Sequence, residues 1–132
     1  MIIARIESLI AGRDVDEALT RARAYVAAGA DGIMIHSKEK SGSDIKEFCL
    51  SFRKDYPHVP LVLVPTTYNR FTEDELASWG ASIIIYANHL LRASYPAMVK
   101  AAELILANKR SLEADEICMP IKEILELIPE TK

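Results

Sequence analysis

The run Gly29-Ala30-Asp31-Gly32-Ile33-Met34-Ile35-His36-Ser37-Lys38 decides the fold. Gly29 suits the left-handed position that closes a helix, and Asp31-Gly32 is turn chemistry. Ile33, Met34 and Ile35 form an unbroken apolar run, the mark of a strand covered on both faces. The character then switches to His36, Ser37 and Lys38. Ligands of α/β folds gather at the carboxyl ends of parallel strands, so His36 stands where chemistry is usually done.

Upstream, Ile2, Ile3, Ala4 and Ile6 make a first strand around Arg5. An arginine in an otherwise apolar strand is costly to bury unless an anion meets it. A neighbouring carboxylate, Glu7 or Asp31, or an anionic ligand would serve. Asp14 reads as an N-cap, with Glu17 three residues on as a carboxylate variant of the capping box. The helix from Val15 puts Val15, Ala18, Leu19, Ala22, Tyr25 and Val26 on one face and stops at Gly29.

Downstream, Ser41 or Ser43 caps a helix over 44–56, with Ile45, Phe48, Cys49 and Phe52 as its buried stripe. Pro57 and Pro60 bracket a turn. Leu61-Val62-Leu63-Val64 is a second doubly buried strand, with Pro65-Thr66-Thr67 at its end. Thr72 and Glu75 have capping-box spacing for a short helix closing at Trp79-Gly80. Residues 80–86, Gly-Ala-Ser-Ile-Ile-Ile-Tyr, then echo 29–35, and Ala87-Asn88-His89 is the polar cluster that follows. Ser94 with Pro96 opens a helix whose inner face is Met98, Ala101, Ala102, Ile105 and Leu106. A polar connection over 108–115 leads to a last helix, striped by Ile121, Ile124, Leu125 and Ile128.

Of 132 residues, 50% are hydrophobic, enough for one domain with a real core. Sixteen basic residues against 19 acidic give a net charge of −3 without a basic stripe, so nucleic acid is not an expected partner. No apolar stretch approaches the ~20 residues of a membrane span. The first residues lack the pattern of a secretory leader, and Cys49 and Cys118 lack metal-ligand spacing. Both cysteines fall in predicted helices and read as reduced packing residues of a cytoplasmic protein.

Strands alternating with helices, the strands apolar on both faces, predict a parallel α/β sheet. A complete (β/α)8 barrel takes ~250 residues. The pattern therefore fits half of one, over 1–108, with a helical extension over 109–132; a small doubly wound sheet is the alternative. Open strand edges and a bare terminal stripe both call for a partner.

Ala4-Arg5-Ile6-Glu7 and Ile10-Ala11-Gly12 resemble the middle of the phosphoenolpyruvate mutase family, within the isocitrate lyase superfamily. The likeness runs on through Glu17-Ala18-Leu19, Arg21-Ala22, Ala24-Tyr25, Ala28-Gly29-Ala30-Asp31 and Ile35-His36-Ser37-Lys38. It resumes at Val64-Pro65-Thr66, Ala87-Asn88-His89 and Leu91-Arg92-Ala93-Ser94. His-Ser at 36–37 sides with the phosphonate enzymes, where isocitrate lyase-like members carry a proline–glutamate pair.

The resemblance implies strands five to eight of a TIM barrel, with a C-terminal helix reaching a neighbouring subunit of a homo-oligomer. It implies that Arg5 and His36 are catalytic and hold the phosphoryl group of phosphoenolpyruvate or phosphonopyruvate. Mg2+, the substrate carboxylate site and a mobile catalytic loop would come from the family's other half, supplied by a complementing N-terminal half-barrel. The implied activity is phosphoenolpyruvate phosphomutase chemistry, making and cleaving a P–C bond, and the piece alone is expected to be inactive. The alternatives are a phosphonopyruvate hydrolase, a non-catalytic oligomeric module, or a carbon–carbon lyase of the superfamily. A dianionic phosphoryl group suits an arginine fork. On pattern alone, Arg5 pairs as readily with Glu7 or Asp31, and a strand-end histidine is more commonly structural. Glu7 would orient Arg5, Thr66, Asn88 and His89 read as supports, and Ser37 and Lys38 shape the loop.

Overall fold

The computed structural model describes residues 1–127, which divide into two compact units, Met1–Ala87 and the segment from Asn88 onward. In the first, β1 (Ile3–Ile6), β2 (Gly32–Ile35), β3 (Leu61–Leu63) and β4 (Ile83–Ile84) alternate with α1 (Val15–Ala27), α2 (Ser43–Asp55) and α3 (Glu73–Ser78). All pairings are parallel, and the spatial order β1-β2-β3-β4 is the chain order. A doubly wound sheet reverses direction at a switch point. This one never does, so every crossover steps the same way, as in a barrel.

Local signals set the helix ends. Asp14 accepts a hydrogen bond from the Glu17 amide at 2.8 Å, capping α1. The reciprocal half of the expected box does not form, because the Glu17 carboxylate instead accepts from Arg21, one turn on. Thr72 and Glu75 do form a full capping box on α3. Neither serine caps α2: Gly42, at φ +70°, occupies the N-cap, and Ser41 Oγ accepts from the Ser43 amide at 3.2 Å. The helix ends at Asp55 because Tyr56 precedes a proline, which disfavours helical backbone there. Gly29 and Gly80, at φ +98° and +108°, close the two helices before the echoed strands. A Cβ on Gly80 would also lie 2.5 Å from Arg53 Cγ.

Side chains alternate across a strand. Ile6, Ile33, Ile35, Leu61 and Leu63 belong to one cluster with Ala18, Leu19 and Ala22 of α1 and Ile45, Phe48, Cys49 and Phe52 of α2. The stripes of both helices are therefore where the sequence puts them. The intervening residues, Ile3 and Arg5, Met34 and His36, Val62 and Val64, Ile83 and Ile85, take the other face of the sheet. Val62 and Val64 are buried there outside the core cluster, whereas Ile83 and Ile85 are exposed.

The second unit holds α4 (His89–Asn108), a 3-10 turn (Leu112–Ala114) and α5 (Ile121–Leu127). The expected start at Ser94–Pro96 is too late. Arg92 already donates to the Asn88 carbonyl at 3.0 Å, and Pro96 lies inside the helix. Leu90, Leu91, Arg92 and Ala93 are strong helix formers that outweigh the proline's lost N–H. No residue of α4 is buried, so its expected inner face is bare: Met98 and Leu106 are 58% and 78% exposed. Ile121, Ile124 and Leu125 of α5 are exposed too, and Ile128 lies outside the described residues. Cys118 is exposed and lies in a bend between the 3-10 turn and α5, not in a helix, two residues before Pro120.

Candidate functional site

Arg5 and Met34 are register partners, which sets Arg5, Met34 and His36 side by side on the face away from the helices. Arg5 Nη2 lies 2.6 Å from His36 Nδ1, and Nη1 lies 3.8 Å from Met34 Sδ. Arg5 Nε donates to the Glu7 carboxylate. A guanidinium has donors only, so His36 Nδ1 is the acceptor and its ring proton sits on Nε2. Charge occupies only the Nε edge of the arginine; its two Nη groups meet a neutral nitrogen and a thioether. An incoming anion can take those contacts without breaking the Arg5–Glu7 ion pair. Asp31, the other carboxylate considered for Arg5, accepts instead from the Ile2 amide at 2.5 Å.

Arg5 and Glu7 are each about half exposed, at 50% and 48% of their side-chain surface. They border an open cleft of about 390 Å³ that also takes in Arg13 and an Arg21–Glu17 ion pair of α1. Three arginines thus surround one cleft against two glutamates, a local excess of positive charge in a chain that is negative overall.

The loop after β2 is tied at two points. The buried Ser37 hydroxyl donates to Asp44 of α2, and Lys38 Nζ donates to the Ile10 carbonyl at 3.1 Å. Thr66 lies half-buried beyond β3 with its amide on the Val64 carbonyl at 2.8 Å. Asn88 and His89 open α4 in the second unit. Met34 and Asp44 were not foreseen as part of this region. Alternation would have placed Met34 beside Arg5 once the strand register was known, while nothing local points Asp44 at Ser37.

Among the described residues, no group of three His, Cys, Asp or Glu side chains is placed to hold a metal ion. The described residues do not fit a Mg2+ site.

The fold and site define an α/β protein with a sequentially ordered parallel sheet and an arginine–histidine pair at its carboxyl end. The sequence profile of the family described as phosphoenolpyruvate phosphomutase matches residues 1–106, and the chain belongs to that family. A phosphonopyruvate hydrolase of Variovorax sp. (strain Pal2) is 43% identical over 129 residues, 96% of this chain and 43% of that protein. A crystal structure of phosphoenolpyruvate phosphomutase from Streptomyces platensis subsp. rosaceus superposes with a TM-score of 0.87 at 42% identity, covering 96% of this chain and 43% of the other. A phosphonopyruvate hydrolase solved with oxalate and Mg++ superposes at 0.80 and 43% identity, with coverage of 96% and 44%. The chain therefore spans under half the length of these relatives.

Proposed function

We propose that this chain is the C-terminal half, strands five to eight, of a (β/α)8 barrel enzyme of phosphoenolpyruvate phosphomutase type. Arg5 and His36 grip the phosphoryl group of phosphoenolpyruvate or phosphonopyruvate. The observation that carries the reading is the 2.6 Å approach of Arg5 to His36 from neighbouring parallel strands. A phosphoryl group moving between carbon and oxygen is stabilised chiefly by position and charge. Arg5 supplies the fixed charge, His36 a directional contact, and Glu7 the anchor that keeps the guanidinium in one plane. We take the Mg2+ of this family to be held by the complementing half, since no group of this chain's described residues is placed to hold it. The 43% identity to a phosphonopyruvate hydrolase favours hydrolysis of phosphonopyruvate as the second reading.

The exposed Ile83 and Ile85 and the bare faces of α4 and α5 support assembly, either as a homo-oligomer or with a complementing N-terminal half-barrel. Among the described residues, no helix is long and apolar enough to cross a membrane.

Calorimetric titration of the chain with phosphonopyruvate, beside Arg5→Ala, tests the reading. Binding that disappears in the variant supports it. Binding that survives Arg5→Ala, or a wild type that binds nothing even with the complementing half present, overturns it.

A further inference from the structure

We propose that Ser37 and Asp44 are positioning residues: they hold the carboxyl end of β2 and thereby aim the His36 imidazole. The proposal rests on the reading of Arg5 and His36 as the phosphoryl site, but its own evidence is independent of any ligand.

The parallel ladder stops at Ile35, whose partners are Ile6 and Leu63. His36 is the first residue past it, so the sheet no longer fixes its backbone on the far side. Ser37 takes over that task. It is 1% exposed, and its hydroxyl does two things at once. It accepts from the Glu39 amide at 3.0 Å, turning the chain, and donates to Asp44 Oδ2. The other Asp44 oxygen accepts from the Ile45 amide at 2.7 Å, so the carboxylate is itself held in the first turn of α2. That turn carries Ile45 at 0% exposure, with Phe48, Cys49 and Phe52 following along the same buried stripe. Ser37 is thus fastened to a helix whose buried stripe belongs to the core.

Alternation does the rest. Ile35 and Ser37 face the helices, and His36 between them faces away, toward Arg5. With the residues on both sides fixed, the Cα–Cβ bond of His36 has one direction, and its Nδ1 meets Arg5 Nη2. Loss of the Ser37 hydroxyl would free the strand end on one side only, leaving β2 paired and the core intact. A loop-shaping role alone would leave the imidazole where it is.

The test uses the full chain with 15N-labelled histidine, the His36 ring signals being assigned through His36→Asn. In the wild type, His36 is expected to show a single tautomer, with the proton on Nε2. Ser37→Ala and Asp44→Asn should each move the signals toward a mixture of tautomers and weaken phosphonopyruvate binding about tenfold, the equivalent of one modest hydrogen bond. The double variant should do little more than Ser37→Ala alone, because the Ser37–Asp44 bond that Asp44→Asn weakens is already gone. Near-ultraviolet dichroism from Trp79 and the tyrosines monitors folding. Should Ser37→Ala fail to fold, Asp44→Asn, which conserves volume, decides the matter. Unchanged His36 signals in a folded variant, or additive effects in the double variant, overturn the proposal. Should the wild type bind no phosphonopyruvate while the variants still shift the His36 tautomer, the ligand reading fails and the positioning role stands.

Discussion

Arg5 and His36 are 31 positions apart in the chain, yet Arg5 Nη2 lies 2.6 Å from His36 Nδ1. The contact joins the ends of two neighbouring parallel strands, and Glu7 secures the same guanidinium from its Nε side. Arg5→Lys keeps the charge but removes the fork, since one ammonium cannot serve Glu7, His36 and a phosphoryl oxygen together. We expect phosphonopyruvate binding to weaken by about 1.5–3 kcal/mol, the worth of a charged hydrogen bond, and His36→Ala to cost less. Calorimetric titration of the two variants beside wild type measures both; equal affinities in all three would refute the roles assigned.

Arg53 is the main fastener of the loops beneath β3 and β4. It donates to the carbonyls of Gly80, Tyr56, Pro57 and Val59 and to the Ser82 hydroxyl. Arg53→Ala should destabilise the fold by about 2–4 kcal/mol, because several half-buried acceptors lose a charged donor at once. Arg53→Lys should recover less than half. Urea unfolding followed at Trp79 reads the difference.

Phe48 is fully buried and stacks on Phe52 with ring centroids 5.7 Å apart. Phe48→Ala should cost about 3–5 kcal/mol through lost burial and the cavity it leaves. A loss below 1 kcal/mol in the same unfolding experiment would show that the helix–sheet core is not packed as described.

The Glu75 carboxyl is held below its ordinary value, first by the Thr72 amide and then by the Thr72 hydroxyl. A carboxyl whose folded pKa is depressed stabilises the fold above its unfolded pKa, and the contribution is lost as pH falls through the folded value. The capping box on α3 therefore weakens on acidification below about pH 4.3, the ordinary glutamate value. Glu75→Gln fills the box without titrating. Its melting temperature should fall less than that of wild type between about pH 6 and about pH 3. Parallel melting curves for the two proteins would reverse the assignment.

The chain alone, given Mg2+ and phosphonopyruvate, should release neither phosphate nor phosphoenolpyruvate, since no group of its described residues is placed to hold the metal. A coupled phosphate assay and phosphorus NMR follow both products. Turnover by the pure chain would show that the catalytic machinery is complete within it.

What was legible in the sequence was local. The stripes of α1 and α2, the Thr72 capping box and the glycine closures at 29 and 80 depend on spacings of three, four or a few residues, and each is found where expected. Arg5 and His36 stood out because polar side chains interrupt or end apolar strands. Their contact with each other was not readable, since it depends on the register that pairs Arg5 with Met34. The α4 stripe shows how far a local signal reaches. Apolar spacing says that a face wants cover, but the face is exposed, and the proline expected to open the helix lies well inside it.

The sequence by itself determined the class of elements, the helix ends with good caps, the core-facing residues and the family, because these follow from periodicity, turn chemistry and side-chain type. Only the tertiary structure decided the uninterrupted strand order, the face of the sheet on which Arg5 and His36 meet, and the Ser37–Asp44 tie between strand and helix. Each of those is a relation between segments far apart in the chain. Hydrogen-bond ladders and burial settle such relations collectively, and no short window of residues encodes them.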